Sequence, residues 1–243
     1  MLGPMANEIV DLARLAGGER VLDLATGTGI VARQLAHFTN DVVGTDIAWG
    51  VLARARDLAT DEILFITADA HRLSFADRLF DLVTCGLSLS HFSNVTSALQ
   101  EILRVLRPGG RFVTSAWGTE GESPTKAAAI AVRNRFLEER EQTFEGAFGE
   151  DLWADVQKGN EILRQVGFQN IDVKTSQLSG KHQNHSDALE VALAWPITRY
   201  RISRLDPDDQ RKLKADTAAA ILELDDLHWH SEIHYYQAAS GEE

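Results

Sequence analysis

Short β-branched runs alternate with longer stretches of helical apolar spacing over the first two-thirds of the chain. Val21 to Ala25 reads as a strand that ends at the turn Thr26-Gly27-Thr28-Gly29, and Ile30 to Phe38 then shows helical spacing. Asp41 to Asp46 reads as a second strand and Trp49 to Leu58 as a second helix. Ile63 to Thr67 and Phe80 to Cys85 read as the third and fourth strands. Ser93 or Asn94 can cap the next helix, whose broad apolar face carries Val95, Ala98, Leu99, Ile102, Leu103 and Leu106. Pro108-Gly109-Gly110 is expected to stop that helix and turn the chain into a fifth strand, Arg111 to Trp117. Apolar strands separated by helices imply a parallel sheet covered on both faces, so the fold expected is α/β and doubly wound.

The pattern changes after Gly118. Residues 119–150 are polar and helix-prone, as an inserted helical cap would be. A helix over Leu152 to Val166 is expected to end at Gly167, before a sixth strand, Phe168 to Leu178. Residues 186–204 and 207–226 read as two amphipathic cap helices, and His230 to Ala238 as a closing strand. The organisation expected is one structural domain: a core over 1–118, the cap over 119–150, and a completion of the sheet over 151–243 with the helices of 186–226. The last three residues, Gly241-Glu242-Glu243, read as frayed.

Composition narrows the function. The 243 residues hold 24 Lys+Arg against 36 Asp+Glu, a net charge of −12, which disfavours nucleic acid as a partner. The densest basic stretch, Arg199, Arg201 and Arg204, is soon followed by Asp206, Asp208 and Asp209. Cys85 is the single cysteine, which excludes an intrachain disulfide framework and a cysteine-built zinc cluster. His182, His185, His228, His230 and His234 lack a paired carboxylate motif and read as packing or solvated residues, so no metal site is expected. No apolar run approaches the ~18 residues of a membrane span, and the N-terminus lacks a signal-peptide pattern. A soluble, cytoplasmic protein is expected.

Candidate chemistry gathers at the carboxyl ends of the strands, where open parallel sheets bind ligands. The glycines of Asp23-Leu24-Ala25-Thr26-Gly27-Thr28-Gly29 let backbone approach a ligand at a helix N-terminus. Asp46, 17 residues after Gly29, can accept from both hydroxyls of a ribose. Asp69 beside the N–H of Ala70 can read an adenine edge, and the small residues Cys85 and Gly86 leave room for a ligand. Gly27-Thr28-Gly29-Ile30-Val31-Ala32 alone would suit a nicotinamide dinucleotide, but the signal is weak. Asp23 stands where dinucleotide folds keep an apolar residue, and no Lys or Arg lies between Asp23 and Val31. Asp23, Asp46 and Asp69 facing one cleft suit a ligand with positive charge.

From Arg20 to Gly118 the chain resembles a class I S-adenosylmethionine-dependent methyltransferase of the ubiquinone/menaquinone-biosynthesis (UbiE-like) type. The resemblance rests on Val21 to Gly29, Val43-Gly44-Thr45-Asp46 and Thr67-Ala68-Asp69-Ala70. It continues through Leu73-Ser74-Phe75, Phe80-Asp81-Leu82-Val83 and Leu103 to Gly110. It implies a seven-stranded, mostly parallel, Rossmann-like sheet whose last strand lies antiparallel beside the fifth. It implies S-adenosylmethionine as cofactor, with the Gly27–Gly29 loop, including Ala25, Thr26 and Thr28, cradling the methionine and ribose. Asp46 would hold the ribose diol, Ile47 would pack on the purine, Asp69 and Ala70 would bind the adenine, and Cys85 with Gly86 would line the methionine end. Relatives carry a longer N-terminal segment over the cofactor, whereas 20 residues precede Val21 here. A more exposed cofactor or a truncated start is therefore expected.

The acceptor implied is a small, largely apolar molecule such as a quinone precursor or secondary metabolite. His91, just past the fourth strand, is the candidate general base for a phenol or enol. The competing readings are a pericyclase-like or other non-methylating member of the fold, a non-catalytic binding protein and, more distantly, a nicotinamide oxidoreductase.

Overall fold

The computed structural model describes residues 2–59, 63–118, 123–140, 152–194 and 196–242. Its described residues form a seven-stranded sheet of order β3-β2-β1-β4-β5-β7-β6. The strands are β1 Arg20–Leu24, β2 Asp41–Asp46, β3 Leu64–Thr67, β4 Phe80–Gly86, β5 Leu106–Trp117, β6 Gln169–Lys181 and β7 His228–Ala239. β1 pairs in parallel with β2 and β4, β2 with β3, and β4 with β5. β7 runs antiparallel to β5, with Arg111 opposite Ala239 and Trp117 opposite Ile233. The α/β doubly wound sheet and its antiparallel strand beside β5 are as the sequence implied. Strand order reverses between β1 and β4, which places the ligand crevice beyond their carboxyl ends.

By its contacts the chain divides into two compact units. The first comprises, of the described residues, 2–59, 63–118, 152–175 and 233–242. In it α4, Val95–Val105, and α6, Val156–Val166, contribute Ala98, Leu99, Ile102, Val105 and Leu163 to one buried cluster. The sheet meets them with alternate residues, Leu22, Leu24, Val83, Cys85, Phe112 and Tyr236. On the other face lie α1, Leu2–Ala13, and α2, Ile30–Leu35. There a Cβ on Gly86 would stand 3.3 Å from Ile9 Cδ1 and 3.7 Å from Val31 Cγ2.

The helix α1 has no counterpart in the sequence reading. Its buried positions Met5, Ala6, Ile9, Val10 and Ala13 fall at the spacing of one helical face. It packs on α2, β4 and β5, so the short N-terminal segment already covers the side of the sheet where Gly86 sits. The α4–β5 junction also differs. The helix ends at Val105, and Leu106 is already extended and paired with Phe80, before Pro108 is reached. The register then shifts between Phe80 and Leu82, and Gly109 adopts φ +70°. Pro108-Gly109-Gly110 therefore makes an irregularity within β5 rather than the end of the helix. Gly241 is not frayed, since its carbonyl accepts from Gly109 N at 3.0 Å.

Gly44 in β2 is fixed by packing. A Cβ there would stand 2.8 Å from the ring of Phe65, a buried residue of β3, and 3.2 Å from Thr26 Cγ2. The same ring lies 3.1 Å from a Cβ built on Gly29, so Phe65 supports the glycine loop from below. Gly44→Ala should lower unfolding free energy by about 1–3 kcal/mol, read from the denaturant midpoint. An unchanged midpoint would show that the ring moves aside at no cost.

The second unit comprises, of the described residues, 123–140, 176–194 and 196–232. It holds α5, Pro124–Glu138, α7, His185–Ala194, α8, Pro196–Ser203, and α9, Pro207–Leu222. One helix over 186–204 was expected. Two are found, because Pro196 cannot donate a backbone bond inside a helix and opens the second instead. Val132, Phe136, Ile202 and Leu213 form one small core of this unit, and Ala188, Ile221 and Leu227 another. The Arg140 guanidinium lies 3.7 Å from the Phe136 ring centre and donates to Asp209 Oδ1 at 2.7 and 2.9 Å. Residues 119–122 and 141–150 of the expected cap, and Trp195, lie outside the described residues. Among the described residues no helix is long and apolar enough to cross a membrane.

Candidate functional site

The crevice is built from four strand ends and the turns that leave them. Asp23, on β1, is 1% exposed and turned inward. Its Oδ2 accepts from Thr26 Oγ1 at 2.5 Å and Ala32 N at 3.1 Å, and its Oδ1 from Thr84 Oγ1 at 2.8 Å. One carboxylate thus ties the glycine loop, the first turn of α2 and strand β4 together. Burial pushes its pKa up to about 6 against the pull of those three donors, and the charge of Asp46 pushes the same way.

Beyond Asp23 the chain turns sharply. Ala25 has φ +54°, Gly27 +57° and Gly29 +76°. The first of these is strained for a residue with a Cβ, and Leu87, just past the end of β4, repeats the strain at φ +52°. Leu87 is pinned there by its N–H, which donates to Ser115 O at 3.0 Å and Ser115 Oγ at 3.1 Å. Nothing lies within 4 Å of a Cβ built on Gly27, so the loop presents open space above its backbone.

Asp46 ends β2 beside this loop. Its Oδ2 accepts from Gly27 N at 3.0 Å and its Oδ1 from Ala48 N at 2.9 Å, which leaves each oxygen a second lone pair. Next to it Ile47 and Trp49 are each 70% exposed, an apolar surface flanking a carboxylate. That pairing suits a ribose diol with a purine beside it. Thr28 contributes its carbonyl, which accepts from Arg33 Nη1 at 2.5 Å. A cation absent from Asp23–Val31 thus returns to the loop from α2, although its guanidinium is engaged by that carbonyl.

Asp69 follows β3 and is exposed, while Ala70 is buried. The carboxyl of Asp69 is held below the usual carboxylate range, first by the backbone N–H of His71 and then by its ring. The 69–77 segment is clamped to α4 by Arg104, which donates to Leu73 O at 2.9 Å, Phe75 O at 2.8 Å and both oxygens of Glu101. Glu101 Oε2 also accepts from Leu73 N at 2.7 Å. Arg107 similarly meets Asp81 at 2.6 Å, and Asp81 accepts from Arg20 N at 2.8 Å.

Cys85 is fully buried, and its thiol is pushed far up by burial and then by the charges of Asp23 and Asp46. It is a packing residue, and the carboxylates of Asp23 and Asp46 at the neighbouring strand ends favour a cationic ligand over an anionic one. The room expected at Gly86 is filled on its side-chain face by Ile9 and Val31, leaving backbone as its contribution. His91 is the exposed last residue of the 3-10 turn Leu89–His91, and its N–H donates to Ser88 O at 2.9 Å. Asp23, Ala25, Thr26, Gly27, Thr28, Gly29, Asp46 and Ile47 are thus gathered around one loop, with Asp69 and Ala70 on the turn after β3.

Sequence reasoning missed the partners that hold these residues: Thr84 for Asp23, Phe65 beneath the glycines, and Ser115 at Leu87. Each lies on a different strand or turn from the residue it serves, so no local motif signals it. Of the histidines noted outside the crevice, His182 and His234 are buried, whereas His228 and His230 are exposed. His234 Nε2 donates to Ala154 O at 3.2 Å and its Nδ1 accepts from Thr175 Oγ1 at 2.8 Å. His185 Nε2 donates to Leu224 O at 2.9 Å. Among the described residues, no group of three His, Cys, Asp or Glu side chains could hold a metal ion.

Residues 22–114 match the methyltransferase domain family. A demethylmenaquinone methyltransferase of Beutenbergia cavernae is 44% identical over 110 residues, which is 45% of each chain. A ubiquinone/menaquinone biosynthesis C-methyltransferase of Ectopseudomonas mendocina is 37% identical over 46% of this chain and 47% of its own. The chain thus spans about half the length of the curated relatives it matches. Among solved structures, a candidate methyltransferase from Bacillus halodurans C-125 superimposes with a TM-score of 0.66 at 22% identity, over 98% of this chain and 100% of its own. That likeness concerns the fold.

Proposed function

We propose that this chain, whose residues 22–114 form a methyltransferase domain of the class I fold, transfers a methyl group from S-adenosylmethionine to a small, largely apolar acceptor. The observation that carries the reading is the loop cradle: open space over Gly27, the half-free carboxylate of Asp46, exposed Ile47 and Trp49, and a negative field from Asp23 and Asp46. Those features suit a nucleoside bearing positive charge better than a diphosphate. A quinone precursor is the acceptor class favoured, by analogy with the names of the curated relatives.

When bound, the cofactor would supply an electrophilic methyl on its sulfonium, with the neutral thioether as the leaving group. The protein's part is positioning and exclusion of water. Asp46 would accept from the ribose hydroxyls, Ile47 would cover one purine face, and Asp69 would accept from the adenine amino group while Ala70 N–H donates to the ring. The Gly27–Gly29 backbone would lie along the methionine portion. His91, on the turn after β4, would take the proton of a phenol or enol acceptor.

The test is incubation with S-adenosylmethionine and a pool of small apolar metabolites. Expected are accumulation of S-adenosylhomocysteine and one new product heavier by a methyl group. Tight cofactor binding with no S-adenosylhomocysteine formed on any acceptor would favour the non-methylating reading instead. His91→Ala should leave S-adenosylhomocysteine affinity within about twofold and slow turnover by roughly 10²–10⁴-fold. Unchanged turnover would remove His91 from the mechanism.

A further inference from the structure

His71 joins two parts of the crevice that are separate in sequence. Its Nδ1 lies 2.7 Å from Asp69 Oδ1, and the same oxygen accepts the His71 backbone N–H at 2.9 Å. On the far side of the ring, Asn94 N donates to Nε2 at 3.2 Å, and Ser93 Oγ stands 3.4 Å from the same nitrogen. The Phe92 ring meets the imidazole edge-on, with centroids 5.8 Å apart. A backbone N–H can only donate, so Nε2 is the acceptor and the proton sits on Nδ1, pointing at Asp69. The tautomer is therefore set by the α4 side and used on the β3 side.

This arrangement fixes both ends. Asp69 has Oδ1 committed twice to His71, which leaves Oδ2 as the oxygen that would accept from a ligand. Asn94 is the N-cap of α4 and holds Ser97 N with its own side chain at 3.0 Å, so the ring also fixes where α4 begins. The turn bearing His91 enters α4 through Phe92, Ser93 and Asn94.

Resting on the proposed function, we infer that His71 is a positioning residue that links the adenine-binding carboxylate of Asp69 to the segment 91–94 and hence to His91. Its side chain touches neither the transferred methyl nor the acceptor. Nucleoside contact at Asp69 and the placement of the candidate base are then coupled through one imidazole.

Three variants separate the two ends. His71→Ala should weaken S-adenosylhomocysteine binding about tenfold by calorimetry and lower kcat as well. His71→Asn places an amide N–H near the Nδ1 position, so it should restore affinity to within about threefold while kcat stays low. His71→Gln offers an acceptor to Asn94 N–H, so it should recover kcat more than affinity. In the free wild-type protein, ¹⁵N shifts of the ring should show Nδ1 protonated and Nε2 bare, a readout independent of any cofactor. A proton on Nε2, or equal affinity and kcat in all variants, would overturn the coupling. So would parallel losses in all three that follow Tm, because those would make His71 a stability residue only. Failure of the wild type itself to bind S-adenosylhomocysteine would instead overturn the underlying reading of the site.

Discussion

Asp46→Ala is expected to lower affinity for S-adenosylmethionine by at least about a hundredfold, the loss of two hydroxyl-to-carboxylate hydrogen bonds. The geometry makes Asp46 more than a ribose acceptor. The same carboxylate holds Gly27 N at 3.0 Å and Ala48 N at 2.9 Å, so its removal also frees the loop and the entry to α3, Trp49–Leu58. A stability loss of about 1 kcal/mol should accompany the affinity loss, in the range of a lost helix cap. Asp46→Asn keeps one carbonyl acceptor and should lose only about tenfold. Calorimetry with each variant beside its thermal midpoint separates binding from folding. Wild-type affinity in Asp46→Ala would remove the ribose from this strand end.

The second large effect concerns Asp23. Burial raises its pKa to about 6 from 3.8, so the folded state holds a proton that the unfolded chain releases between those values. Its contribution to stability is therefore fully present below about pH 4 and is lost as pH rises through about 6. The span corresponds to about 3 kcal/mol. Asp23→Asn mimics the neutral form and abolishes this slope. The variant should gain on the wild type by up to about 3 kcal/mol between pH 4 and pH 7, measured by urea unfolding across that range. The same substitution should weaken S-adenosylmethionine at pH 7, because a buried negative charge beside the loop is removed. A carboxylate that costs stability when empty and favours a bound cation is the expected signature of a binding site. Parallel pH profiles for variant and wild type would show that Asp23 does not titrate in this range.

The sheet was legible because its signals are local. Strands such as Val21 to Ala25 and Asp41 to Asp46 are short apolar runs closed by a turn or a carboxylate, and their order with intervening helices dictates a parallel sheet. The loop residues were legible for the same reason, being neighbours in sequence. Other features depend on contacts across strands. Asp23 reads from sequence as a residue facing the cleft, yet Thr84, its register partner on the adjacent strand β4 and 61 positions away in sequence, helps turn it inward. Helix α1 was not read because Gly3 and Pro4 in its first turn are weak helix signals, although its buried face, Met5, Ala6, Ile9, Val10 and Ala13, packs on α2, β4 and β5. Residues 186–204 read as one helix because the apolar spacing continues across Pro196, while the backbone does not.

Among the motif residues, several serve structure first. Arg104 and Arg107 of the Leu103 to Gly110 stretch clamp the 73–77 segment and Asp81, respectively. Their spacing was recognisable in sequence, but the reason for it was not, since each partner lies at least 26 positions away. The adenine-side turn is thus held by α4 and by His71 together.

The central claim is that one nucleoside lies across the carboxyl ends of β1, β2 and β3. A crystal structure with S-adenosylhomocysteine tests it directly. Both ribose hydroxyls should lie within hydrogen-bond distance of Asp46, with the purine between Ile47 and the Asp69–Ala70 turn. Nucleoside density elsewhere, or a carboxylate of Asp46 still bonded only to Gly27 and Ala48, would contradict it.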